Sequence, residues 1–228
     1  GDDGGGPTAP GESPEIALVR LAHLSPDAGT VSIVVKERPA SPATVVEDSV
    51  LLTGVEFGDF TGYFVVEAEG ATDYAVSVRT TSGSAAIDTV ITLERGDAVT
   101  VCAVGPLASI GAQVYVDLLI PNPAVARIGF VHAAAPVDTV DVTLVDGSPL
   151  FQRVAYPQKA SNRVEIAGGD YDLQIRAAGT ETVLLAFDDV PVSEGTIYTV
   201  WAVVPPAGGV TALVTVFFTD AETTEINT

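Results

Sequence analysis

The stretch LAHLSPDAG places His23, Ser25 and Asp27 within five positions. These are the side chains of a nucleophilic set: a hydroxyl to attack, an imidazole to take its proton and a carboxylate to orient the ring. A second histidine, His132, stands in FVHAAAPVDTV, where Ala134 and Pro136 occupy the places of Ser25 and Asp27. The partners that chemistry requires do not recur, but the histidine does, at the inward end of a strand and before a turn. There a ring packs its apolar side inward and hydrogen-bonds the turn backbone with its polar tip. Both histidines are therefore expected to be structural.

Other routes to chemistry are equally thin. The chain has no G-x-S-x-G elbow, H-E-x-x-H, paired C-x-x-C, phosphate-binding G-x-x-x-x-G-K-[ST] or EF-hand loop. Its one cysteine, Cys102, lies in the apolar run AVTVCAVG and reads as a small buried hydrophobe. Acids are plentiful (Glu47 and Asp48, Glu67 and Glu69, Asp138 and Asp141, Asp188 and Asp189), yet their spacing pairs none across a groove as a glycosidase requires. The expectation is no enzyme, with no catalytic, cofactor-binding or metal residue. Calcium held by loop oxygens near the PNP segment, locking two domains together, stands as an alternative.

The elements that carry these residues form an internal repeat, which decides the fold class. AHLSPDAGTVSIVV matches VHAAAPVDTVDVTLV, YAVSVR (Tyr74 to Arg79) matches YDLQIR (Tyr171 to Arg176), and ERGDAVTVCAVG matches SEGTIYTVWAVV, which sets Gly96 against Gly195 and Cys102 against Trp201. AQVYVDLL and TALVTVFF follow at equal distance, setting Val114 against Leu213. His23, His132, Tyr74, Tyr171, Arg79 and Arg176 are the repeat's markers. Inside each copy, apolar residues alternate with period two, the mark of half-buried strands. Val19, Leu21 and His23 share one strand face, as do Ile128, Phe130 and His132. Arg79 and Arg176 fall opposite the tyrosine rows, where pairing with a cross-strand acid is expected. Trp201 is expected to plug a core.

The expected fold is all-β: two tandem antiparallel immunoglobulin-like sandwiches of about seven strands each. The boundaries are a flexible leader at 1–15, repeat 1 at 16–120, a proline linker at 121–124, repeat 2 at 125–220 and a polar tail at 221–228. The first repeat carries extra residues in ERPASPATVVEDSV, a proline-rich loop and the expected variable surface.

Charge limits the partners. Thirty acids against ten bases give a net charge of −20, which repels phosphate backbones and anionic lipid, so nucleic acid is not expected. No apolar run reaches the ~18 residues of a membrane-spanning helix. The opening GDDGGGPTAPGESPE has little to bury. It reads either as an ordinary terminus or as the tether that follows a lipidated cysteine, and the start at Gly1 suggests that an upstream segment, a signal segment in the second reading, was removed or was never included.

These residues carry a family resemblance. VRLAHLSPDAGTVSIVV, together with YDLQIRAAGTETVLLAFDDVPVSEGTIYTVWAVV and its first-repeat counterpart, resembles the domain-of-unknown-function 4397 family, exported bacterial and archaeal β-sandwich repeats often found in tandem. Each copy departs from the pattern: Ser32 replaces the Asp of its VDV strand in the first, and the second lacks the Ser-Pro-Asp turn. The resemblance implies an exported sandwich and no established reaction. The expected role is a non-enzymatic cell-surface or secreted structural or adhesive module, with an unidentified surface polymer or protein as partner. Alternatives are an extracellular glycan- or calcium-binding protein and, behind them, a hydrolase using acidic residues. Phe57, Phe60, Tyr63 and Phe64 in VEFGDFTGYFVV are the candidate glycan surface, against a core-and-hairpin role.

Overall fold

A computed structural model describes residues 15–37, 49–217 and 225–226. Most of the expected leader, proline-rich loop and polar tail (1–14, 38–48, 218–224 and 227–228) lies outside the described residues.

The first repeat comprises β1 (Ile16–Leu24), β2 (Val31–Glu37), β3 (Ser49–Val55), β4 (Phe64–Glu67), β5 (Thr72–Thr80), β6 (Ala85–Leu93), β7 (Ala98–Val104) and, after a 3-10 turn at Leu107–Ser109, β8 (Gly111–Val116). The second comprises β9 (Ala126–His132), β10 (Thr139–Leu144), β11 (Pro149–Ala155), β12 (Val164–Ile166), β13 (Gly169–Ala177), β14 (Val183–Val192), β15 (Ile197–Val203) and β16 (Thr211–Phe217), with a short β17 (Glu225–Ile226) paired to β16.

Sheet orders β4-β1-β7-β8 and β3-β2-β5-β6 in the first repeat become β12-β9-β15-β16 and β11-β10-β13-β14 in the second. The repeat is therefore one of topology as well as sequence, and the two-sandwich all-β architecture is the one the alternation predicts. Among the described residues the first repeat has eight strands and the second nine, counting the two-residue β17, rather than about seven; β4 and β12, at four and three residues, are too short to show an alternating pattern. Each also contains one parallel pair, β1 with β7 and β9 with β15, within otherwise antiparallel sheets.

Inside the first sandwich the inward rows of β1, β2, β5 and β7 meet: Val19 and Leu21, Val31 and Ile33, Tyr74 and Val76, Val99 and Val101. The second core repeats this with Ile128, Phe130, Val140, Val142 and Ile175, and Phe130 stacks on Phe151 at 5.7 Å. Each such side chain taken from water contributes about 1.5–3 kcal/mol. Gly96 and Gly195, the paired turn glycines, both take positive φ (83° and 76°) before β7 and β15, where a side chain would be strained.

The ladders correct the equal spacing read in the last strand pair. Val101 pairs with Val114, but Val200 pairs with Val214, one residue further on. Six residues connect β7 to β8 and seven connect β15 to β16. A one-residue slip sends a side chain to the opposite face. Val114 is thus 43% exposed while Leu213 turns into an apolar cluster.

Candidate functional site: the charged seam between the sandwiches

Strands β1, β7, β9 and β15 are apolar on both faces. The second face belongs to a third core lying between the repeats. Ala22, Leu24, Cys102, Val104 and Tyr115 from the first sandwich pack against Val131, Ala133, Trp201 and Val203 from the second, with Phe57, Phe60 and Leu213 around them. Equivalent positions meet across this seam: Ala22 and Val131, Cys102 and Trp201, Val104 and Val203. Trp201 is fully buried, 5.0 Å from the Phe60 ring and 5.6 Å edge-on to Tyr115, and its indole N–H donates to Thr215 Oγ1 at 3.1 Å. It does plug a core, but the core joining the repeats rather than that of its own sandwich. Tyr115 donates its hydroxyl to the Pro157 carbonyl at 2.7 Å. At Gly105 a Cβ would lie 2.9 Å from the Tyr156 hydroxyl, so the first repeat presents bare backbone there to the second.

Along one side of the seam runs a buried charged cluster. Arg20 continues the outward row of β1 with Ala22 and Leu24, and is buried. Its Nε and Nη2 donate to Thr100 Oγ1 at 3.0 and 2.9 Å. Its guanidinium carbon lies 5.4, 5.1 and 6.0 Å from the ring centres of Phe60, Tyr63 and Trp201, and such stacking stabilises a desolvated cation. Asp117, just past β8, accepts hydrogen bonds at Oδ2 from Tyr63 (2.9 Å) and Thr100 (2.5 Å), with Arg20 Nη2 at 3.8 Å. From the second repeat, Lys159 Nζ approaches Asp117 Oδ1 at 3.4 Å and donates to the Val116 carbonyl at 2.5 Å. Burial lowers the Lys159 pKa, and Asp117 opposes that shift. Arg163 lies over Gly129 beside Thr199, and burial lowers its pKa as well. Burial raises the Tyr63 phenol, which therefore stays protonated as a donor to Asp117.

Of these residues, Tyr63 and the Phe60 ring beside Arg20 are the sequence candidates. Arg20 gave a faint signal, a cation interrupting the apolar strand ALVRLAHL; Asp117, Lys159 and Arg163 gave none, because side chains far apart in the chain meet only through the docking of the repeats.

The other candidates fall as follows. His23 Nε2 bonds the Gly29 carbonyl at 2.8 Å and His132 Nε2 the Asp138 carbonyl at 3.0 Å. Both rings are wholly buried and hold the turn after their strand. Ser25 Oγ is buried without a partner among the described residues, and Asp27 accepts from the Leu107 N–H at 2.6 Å. Ser25 and Asp27 thus bond neither to the imidazole nor to each other. Tyr74 donates to the Glu67 carbonyl at 2.5 Å and Tyr171 to the Ala167 carbonyl at 3.0 Å. Arg79 pairs with Asp88 at 2.9 Å across the sheet, whereas Arg176 bonds Gln174 of its own strand at 2.9 and 2.6 Å. Phe57 and Phe60 are half-buried against the seam, and Phe64 packs on the first core. Together with Tyr63 they are spread over two cores rather than gathered on one face. Among the described residues no group of three His, Cys, Asp or Glu is placed to hold a metal ion, and no helix is long and apolar enough to cross a membrane.

Fold and seam define the class as a tandem pair of β-sandwiches of matching strand order, joined by a shared apolar core. The profile of a family described as "Domain of unknown function (DUF4397)" matches residues 17–143 and 126–228, and the chain belongs to that family. The second match begins where β9 begins. No curated protein matches the chain. Among solved structures, a "putative cell adhesion protein" from Bacteroides ovatus is 10% identical, with 92% of this chain and 98% of that one covered and a TM-score of 0.24. A "putative adhesin" from the same organism is 8% identical, with 93% and 95% covered and a TM-score of 0.20. Scores this low carry no argument for this chain.

Proposed function

We propose that the chain is a non-enzymatic structural or adhesive module of the cell surface or the secreted fraction, working as one rigid spacer that presents its loops to an extracellular polymer or protein. The observation that carries this reading is the seam. Trp201, Cys102, Tyr115 and Val131 form a dry core between the sandwiches, so the pair can transmit force or hold a spacing as one body, as large apolar interfaces between domains do. The strong negative charge keeps such a surface hydrated. The glycine-rich start suits a tether, and an acylated cysteine ahead of Gly1 is the anchor this reading favours.

The test is intact mass and N-terminal sequencing of the protein from its native host, with antibody labelling of unbroken cells. Labelling of intact cells, or recovery from the medium, is the expected result. Recovery only after lysis overturns the placement.

A further inference from the structure

The charged cluster does not balance. Three cations, Arg20, Lys159 and Arg163, surround one carboxylate, Asp117, in a protein that has only ten basic residues and a net charge of −20. Buried charge is ordinarily paired. Asp117 is engaged within the cluster: its Oδ2 accepts from Tyr63 and Thr100 while its Oδ1 faces Lys159. Arg127, the next cation along, is already committed to Glu165 at 2.8 Å. Arg163 remains, and its Nη1 is buried with no hydrogen-bond partner among the described residues. It borders a cavity also lined by Arg20, Tyr63, Asp117, Thr199 and Thr215, with room for the centre of about one water-sized sphere.

We propose that this cavity is a binding site for a small monovalent anion of the halide class, with chloride the natural occupant. Among the lining residues Arg20 and Arg163 face the single carboxylate of Asp117, so positive charge exceeds negative by one around the space, the medium is largely desolvated, and anion–guanidinium hydrogen bonds are strong there. Thr215 Oγ1 accepts from Trp201, which leaves its own hydrogen free to donate. The size of the cavity suits a single monatomic ion better than a tetrahedral oxyanion. Because Arg20 and Tyr63 come from the first repeat and Arg163, Thr199 and Thr215 from the second, a bound anion cross-links the two halves of the seam.

The test uses the whole chain. The ³⁵Cl NMR linewidth is measured in sodium chloride with and without protein, and thermal unfolding is followed in sodium chloride, bromide, sulfate and gluconate at matched ionic strength, which holds general screening constant. The expected result is excess chloride linewidth that is removed by bromide but not by sulfate, and a higher Tm in chloride and bromide than in gluconate. Arg163→Gln is expected to lose both effects; Arg79→Gln, an arginine far from the seam, keeps them and controls for nonspecific association. Linewidth and Tm that do not distinguish chloride from gluconate, or an effect that survives Arg163→Gln, overturn the proposal.

Discussion

Tyr115 of the first repeat donates its hydroxyl to the carbonyl of Pro157 in the second across 2.7 Å, while its ring stands edge-on to Trp201 at 5.6 Å. One residue thus supplies both polar and apolar adhesion to the seam, and through Trp201 it is continuous with the apolar cluster shared by the two sandwiches. Docked this way, the repeats are expected to unfold together.

Trp201→Ala removes the largest side chain of that cluster and leaves a cavity between sheets that are held on their far sides by separate cores. The expected loss is about 3–5 kcal/mol, the range for large-to-small aromatic truncation. Urea unfolding followed by far-ultraviolet circular dichroism measures it. The single transition of the parent is expected to split or broaden, because the sandwiches lose their shared core. Tyr115→Phe keeps the ring and leaves the buried Pro157 carbonyl without its donor, an expected cost of ~1 kcal/mol. A larger loss for Tyr115→Phe than for Trp201→Ala contradicts this account of the seam.

Asp117→Asn is expected to be as damaging as truncating a large core side chain. Among the described residues the carboxylate is the negative charge paired with both Arg20 and Lys159 there. Removing one partner of a buried ion pair leaves the others desolvated and uncompensated, at a cost of about 3–5 kcal/mol. By contrast, Asp88→Asn breaks the exposed pair with Arg79 and is expected to leave the urea midpoint nearly unchanged. Comparison of urea midpoints separates the two, and similar losses count against a buried role for Asp117.

The two histidines predict an acid sensitivity with a definite sign. Burial lowers both ring pKa values from the ordinary 6.5, against the opposing pull of the carbonyls of Gly29 and Asp138. In the folded protein the rings stay neutral where the unfolded chain already binds protons. The contribution is therefore fully present above about pH 6.5 and is lost as pH falls toward the lowered folded values. Relief of the net repulsion of a −20 chain acts in the opposite direction over the same range. The double variant His23→Asn, His132→Asn isolates the ring contribution: its stability is expected to fall less steeply between pH 7 and pH 5 than that of the parent. Equal slopes count against buried neutral rings.

Much of this architecture is legible in the chain. Period-two rows give the strands, and the matching segments give two equal sandwiches, because each half-buried strand must alternate to have a core face. The seam is legible only in hindsight. AVTVCAVG and IYTVWAVV are apolar on both faces, which states that both faces are covered but not by what. Arg20 in the same outward row as Ala22 and Leu24 marks the charged edge, yet a lone arginine in a strand is equally at home beside solvent. Lys159 and Arg163 sit in the β11–β12 connection, where cations are ordinary, and only docking brings them to Asp117. The one-residue difference between the β7–β8 and β15–β16 turns is invisible to spacing, because both strands stay apolar after the slip.

Cys102 offers a direct measure of how firmly the repeats are held together. Its sulfur is fully enclosed in the seam opposite the second repeat. Burial raises its pKa, and the nearby Arg20 only partly offsets the shift. Thiolate is the reactive form, so a thiol reagent is expected to label native protein only through opening, and denatured protein at once. If the seam opens while the sandwiches stay folded, the labelling rate in low urea is nearly independent of urea, since little surface is exposed in that step. If opening requires global unfolding, the rate climbs with the full denaturant slope. Trp201→Ala is expected to raise the rate about a hundredfold or more for a loss of ~3 kcal/mol, as each 1.4 kcal/mol is tenfold in the open population. Labelling of native protein as fast as a free cysteine means that the sandwiches separate readily, and a spacer that transmits force through Trp201 and Tyr115 then has no physical basis.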